Sequence, residues 1–211
     1  MTMIHKWISL SARAKFGVSI AAMAALYVGA IVTDTSTDAI DIPYVPDLSL
    51  GGRELPVLSP AGDPLGYTQV KRELQFLFPH LSGEAISLAD RYFQPVSHVS
   101  MNALIRWMDQ FYWSTPQVRF NPESYDCDNF ARTFAVIGDL SGAHRFSGQI
   151  AVFRIYTRQH HAWAGVPSGG YHALILYRTE KGWYVYEPQG RHIITAKRYP
   201  NRTYISRIKG D

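Results

Sequence analysis

The chain has 211 residues, with 46% apolar and 18% charged side chains and a formal net charge of +4. So small a charge, carried in part by Arg191, Lys197, Arg198, Arg202, Arg207 and Lys209 near the C-terminus, reads as the solvated face of edge strands, where cations discourage aggregation. It argues against a nucleic-acid partner, and the single cysteine excludes an internal disulfide.

Residues 1–15 carry Lys6, Arg13 and Lys15 with no acid, and Phe16 to Val32 is an uncharged, alanine-rich run. This is a membrane-targeting pattern, intermediate between a signal-peptide core and a full span of ~20 residues. Val28-Gly29-Ala30 suits signal peptidase. Without cleavage, the basic flank keeps the N-terminus cytoplasmic and exports the rest. The expected location is therefore the cell inner membrane, single-pass with the C-terminal domain outside the cytoplasm, or the periplasm if the leader is cleaved.

Three regions follow from this reading: an anchor or signal segment over 1–33, a proline-rich linker over 34–66 and one domain over 67–211. The linker is polar and turn-rich, with Pro43, Pro46, Pro56, Pro60 and Pro64 and no sustained periodicity. A stretch of ~145 residues is enough for one domain with a core. Thr68 to Leu77, Gly83 to Phe93 and Ser100 to Trp113 read as helices. Strands are expected at Gln149 to Tyr156, His172 to Tyr177, Trp183 to Glu187, Ile193 to Ala196 and Thr203 to Ile208. Helices first and strands after is the α+β pattern, with a cysteine-bearing helix on an antiparallel sheet.

That cysteine is Cys127, in Tyr125-Asp126-Cys127-Asp128-Asn129-Phe130-Ala131. Phe130, Ala131, Phe134, Ala135, Ile137 and Leu140 recur at helical spacing, so Asp126 is placed to cap a helix and Cys127 to sit in its first turn. There the free backbone N–H groups and the helix dipole favour a thiolate, the reactive form. The two flanking carboxylates oppose ionisation unless they face elsewhere or meet a cation. Two roles stand open for them: Asp126 as cap with Asp128 complementing the dipole, or both as oxygen ligands of calcium.

A cysteine nucleophile needs a base. His172 begins a short apolar run, Ala173-Leu174-Ile175-Leu176-Tyr177, and so lies at the mouth of a strand. The following strand, Trp183 to Glu187, returns as a hairpin. A two-residue loop sets His172 opposite Glu187, and a four-residue loop sets it opposite Gln189. Either gives the imidazole a polar partner that fixes its tautomer. His161, in a loop flanked by glycine and proline, is the rival base. An oxyanion would be met by the Cys127 N–H together with Asn121, or Gln117.

Asp126-Cys127-Asp128-Asn129-Phe130-Ala131 resembles the Asp-Cys-acid-Asp-aromatic-Ala motif of bacterial transglutaminase-like cysteine proteinases, in which acids beside the cysteine bind calcium. Tyr171-His172-Ala173 and Glu187-Pro188-Gln189 look more like the Cys-His-Glu protease domain of a fungal agglutinin. The resemblance covers about residues 120–190. It implies a papain-like or transglutaminase-like fold and a thiol protease acting through an acyl-enzyme. In it Cys127 is the nucleophile, His172 the base, Glu187 the orienter, and Asp126 and Asp128 the ligands of any calcium; Gln189, from the hairpin reading, is a supporting residue. The chemistry itself requires no cofactor. Asn129, where that family often has an acid, and Glu187, where it usually has Asp, are departures.

The expected partner is a protein or peptide substrate, with a peptidoglycan peptide as the variant. Two alternatives complete the reading: a cell-wall lytic enzyme such as a phage endolysin, and a non-enzymatic envelope structural or binding protein of the same fold.

Overall fold

The computed structural model describes residues 49–50, 52–114, 126–142, 146 and 148–210. In chain order these form β1 (Ser49–Leu50), β2 (Arg53–Glu54), β3 (Leu65–Gly66), α1 (Tyr67–Leu77), β4 (Ile86–Leu88), β5 (Tyr92–Gln94) and α2 (His98–Trp107). There follow α3 (Cys127–Gly142), β6 (Gln149–Ile150), β7 (Val152–Arg158), β8 (Tyr171–Thr179), β9 (Gly182–Glu187), β10 (His192–Thr195) and β11 (Ile205–Gly210).

The frame is a six-stranded sheet in the order β10-β9-β8-β7-β11-β4, accompanied by a three-stranded sheet β3-β5-β6 and the β1-β2 pair. Strand β8 lies near its centre and is almost continuously buried. Successive side chains of a strand point to opposite faces. Ala173, Ile175 and Tyr177 accordingly pack with Met101 and Leu104 of α2 and Phe130 and Phe134 of α3, whereas Leu174 and Leu176 pack with Val70 and Leu74 of α1. With both faces covered, β8 needs an unbroken apolar run rather than alternation. Each buried aliphatic or aromatic side chain contributes about 1.5–3 kcal/mol by leaving water.

This arrangement corrects the expected papain-like or transglutaminase-like α+β fold. Sheets organise the chain, the largest sheet is covered on both faces, and it is mixed rather than antiparallel, because β4 runs parallel to β11. Gly83 to Phe93, expected as a helix, contains only a single short 3-10 turn before β4 and β5. Ile86 is buried, Ser87 exposed and Phe93 fully buried, so the apolar residues that mimic a helical stripe are sheet positions. The end of the expected linker also packs: Leu58 is fully buried, Pro60 bridges to Val96, and β3 pairs with β5. The expected anchor over 1–33 lies outside the described residues. Among the described residues no helix is long and apolar enough to cross a membrane.

Candidate functional site

Helix α3 begins at Cys127 because Asp126 caps it. Asp126 Oδ1 accepts from the backbone N–H groups of Asp128 at 3.1 Å and Asn129 at 3.3 Å, and the Asp126 carbonyl accepts from Phe130 at 3.1 Å. One carboxylate beside the thiol is thus spent on backbone donors that would otherwise be orphaned.

The other meets cations. Asp128 Oδ1 accepts from Arg154 Nη1 at 3.2 Å and from the Tyr156 hydroxyl at 2.7 Å, and Oδ2 accepts from Arg132 Nη2 at 3.3 Å. Arg154 is buried on β7, at 5% exposure, so its charge is directed at Asp128 rather than at solvent. Burial, then the hydrogen bond to Asp128, pushes the Tyr156 hydroxyl up to about 12, and it stays a donor. Both carboxylates therefore already have partners, and no group of three or more His, Cys, Asp or Glu that could hold a metal occurs among the described residues. As arranged, Asp126 and Asp128 do not fit a calcium ion, which takes 6–8 oxygens.

His172 and Glu187 are both buried, and His172 Nε2 donates to Glu187 Oε2. The remaining carboxylate oxygen, Oε1, accepts from the Gln189 backbone N–H at 2.9 Å. The imidazole is also hydrogen-bonded to Cys127. With Nε2 taken by Glu187, Nδ1 is the ring nitrogen left for the sulfur. Burial alone would lower the His172 pKa, but the hydrogen bonds to Cys127 and Glu187 and the charges behind them overcome it and raise it from 6.5 to about 9. The proton accordingly rests on the imidazole at neutral pH.

The hairpin between β8 and β9 turns on two residues, Glu180 and Lys181, with Thr179 paired to Gly182. Extended past its last pair, Ile175 with Tyr186, this register would bring the turn residue Gln189, not Glu187, opposite His172. This differs from the expectation that a two-residue loop sets Glu187 there. Glu187 instead reaches His172 along the diagonal.

Cys127, His172 and Gln189 line one cleft of about 470 Å³, with Tyr171, 80% exposed, at its rim. One wall is the loop after β7, carrying Ala164 to Pro167. It is tied down by Asn201, which donates to the His161 carbonyl at 2.8 Å and accepts from the His161 N–H at 2.7 Å. His161 lies outside the cleft lining and is not the partner of Cys127. Asn121 and Gln117 lie outside the described residues.

Two residues of this site were not singled out from sequence. Arg154 is a cation in the buried part of β7, and such a residue implies a facing carboxylate. Gln159 also lines the cleft, and finding it requires the pairing of Thr157 with His172, which carries the end of β7 alongside the histidine.

No protein-family model and no curated protein matches the sequence. Solved structures match in fold, and two of them are the following. One is a Polyporus squamosus lectin bound to the human-type influenza-binding epitope Neu5Acα2-6Galβ1-4GlcNAc, with 16% identity, a TM-score of 0.51, and 69% of this chain against 49% of that one. The other is the PSL1a–E64 complex, with 18% identity, a TM-score of 0.49, and 69% against 50%. The chain spans about half the length of these solved chains.

The fold likeness is thus to a lectin structure holding a glycan. At 16% identity this likeness concerns the fold alone; it corrects the expected transglutaminase-like or papain-like assignment and gives the expected thiol-protease activity and peptide-bond cleavage no support.

Proposed function

We propose that the protein is a non-enzymatic binding protein whose ligand seat is the cleft over Cys127, and that its ligand is a glycan. The observation that carries this reading is the cleft itself: about 470 Å³, largely apolar in its loop wall, with few polar groups and an almost fully exposed tyrosine, Tyr171, at the rim. Small-ligand sites have this composition. A flat aromatic face accepts the C–H face of a sugar ring, and the Gln189 amide, whose buried Nε2 lacks a partner among the described residues, can donate to a sugar oxygen. The fold shared with a glycan-bound lectin supports the ligand class by analogy.

The same reading gives Cys127, His172 and Glu187 a role at the cleft floor. Cys127 faces the His172 imidazolium, and Glu187 keeps the ring in place and charged. The pair forms a polar floor that a ligand meets, and its thiol is reactive toward electrophiles. The basic residues before the uncharged run of 16–32 support work outside the cytoplasm, where glycans of an envelope or cell surface are met.

The test is retention of the full chain on immobilised glycans, including the sialylated trisaccharide, neutral galactosides and soluble muropeptides, for wild type and Tyr171→Ala. Binding weakened about tenfold in Tyr171→Ala supports the cleft as the seat. Absence of binding to every glycan overturns the reading.

A further inference from the structure

Gln159 follows β7 directly and is almost wholly buried, at 1% exposure. Its backbone is pinned on both sides: the N–H donates to the Gly170 carbonyl at 2.8 Å, and the carbonyl accepts from the Gly169 N–H at 2.6 Å. The side chain is fixed as well. Tyr199, also buried, donates its hydroxyl to Gln159 Oε1 at 3.1 Å. With the oxygen engaged, the amide NH₂ is committed to the other side, and Nε2 has no hydrogen-bond partner among the described residues. Gln159 lines the same cleft as Cys127 and His172.

A buried donor left unmade bears its full desolvation penalty, so native proteins retain one where a ligand or ordered water completes it. A methionine or leucine would fill the same volume without that penalty. We propose that Gln159 is a ligand-binding residue of the cleft, donating from Nε2 to a carbonyl or hydroxyl oxygen of the molecule held over Cys127. This rests on the cleft being the ligand seat, and it adds the polarity of one wall. Tyr199 consumes the acceptor of the amide, so the ligand must present an acceptor there. Sugar hydroxyls and N-acetyl carbonyls meet that demand, whereas an ammonium group does not.

The experiment uses the full chain labelled with nitrogen-15, with the Gln159 side-chain NH₂ pair assigned by its loss in Gln159→Met. Iodoacetamide, reacted to completion, forms an S–C bond at Cys127 with loss of iodide and leaves a carbonyl oxygen in the cleft. Methyl methanethiosulfonate leaves a methylthio group with no such acceptor. The expected result is a shift of the Gln159 NH₂ pair on carboxamidomethylation and little change on methylthiolation. A pair that moves in neither adduct, or equally in both, overturns the proposal. A second readout is glycan retention, which Gln159→Met should weaken about threefold to tenfold. Glycan retention unaffected by Gln159→Met sinks this assignment while leaving the binding reading intact. A selective NH₂ shift in a chain that retains no glycan sinks the binding reading and leaves the assignment intact.

Discussion

Glu187 meets His172 from the diagonal, two residues short of the position directly across the hairpin. Diagonal neighbours share a face but lie about 7–8 Å apart, a span that favours a long side chain. This accounts for a glutamate rather than an aspartate as the partner of the imidazole. Glu187→Asp should lose the hydrogen bond, destabilise the fold by about 1.5–3 kcal/mol, and bring His172 titration down from about 9 toward its ordinary value. Denaturant unfolding and NMR titration of the His172 ring check both, and an unshifted titration would show that the diagonal contact does not hold the proton.

His172 also sets a pH dependence. Its pKa is raised in the folded state, from 6.5 to about 9, so the folded form binds the proton more tightly than the unfolded chain. The stability it contributes is fully present below ~6.5 and is lost as pH rises through about 9. Thermal melts across that window should show a falling midpoint in wild type and a flatter profile in His172→Gln.

Arg154 pairs with the carboxylate that follows Cys127 in the chain. In Arg154→Met the carboxylate beside Cys127 loses its buried cation, with Arg132 remaining as a more exposed partner. The expected loss of stability is about 1–3 kcal/mol, less than for a fully buried pair because Asp128 still touches water. Alkylation of Cys127 by iodoacetamide at neutral pH should slow severalfold, and the double variant Arg154→Met/Asp128→Asn should recover most of the rate. A rate unmoved by the single variant would remove electrostatics from the account of Cys127.

Gly190 closes the cleft wall by close approach. A Cβ at this position would lie 1.8 Å from the Ala164 carbonyl oxygen, which is backbone and cannot swing aside. Gly190→Ala should therefore push the loop carrying Ala164 outward and destabilise the protein by more than about 2 kcal/mol. It should also raise the rate at which a bulky aromatic disulfide reaches Cys127 relative to iodoacetamide. Equal relative rates would show that this loop does not gate the thiol.

Much of the site was legible in the sequence because its signals are local. Asp126 before a helical repeat marks a cap and places Cys127 at N1. His172 before Ala173-Leu174-Ile175-Leu176-Tyr177 marks the mouth of a strand, and Glu187 ends the returning one. What could not be read depends on register and distance. The hairpin turns at Glu180-Lys181 rather than one residue earlier, which changes who faces His172. Arg154 meets Asp128 from 26 residues away, and Tyr199 meets Gln159 from 40. The fold was less legible for the same reason: Ile86 and Phe93 join sheets through partners far along the chain, and their spacing alone suits a helix. The motifs around Cys127, His172 and Glu187 suggested a protease fold, whereas the fold comparison, over 69% of this chain and 49% of the other, gives a lectin structure.

The most direct measurement is glycan binding by the full chain before and after carboxamidomethylation of Cys127, read by isothermal titration with the tightest glycan retained on the immobilised panel. If the cleft is the seat, filling its floor should weaken binding at least about tenfold, while the melting temperature of the adduct shows that the fold persists. Equal affinity of the free and alkylated chains would contradict the account, because the glycan would then be held away from Cys127, His172 and Glu187.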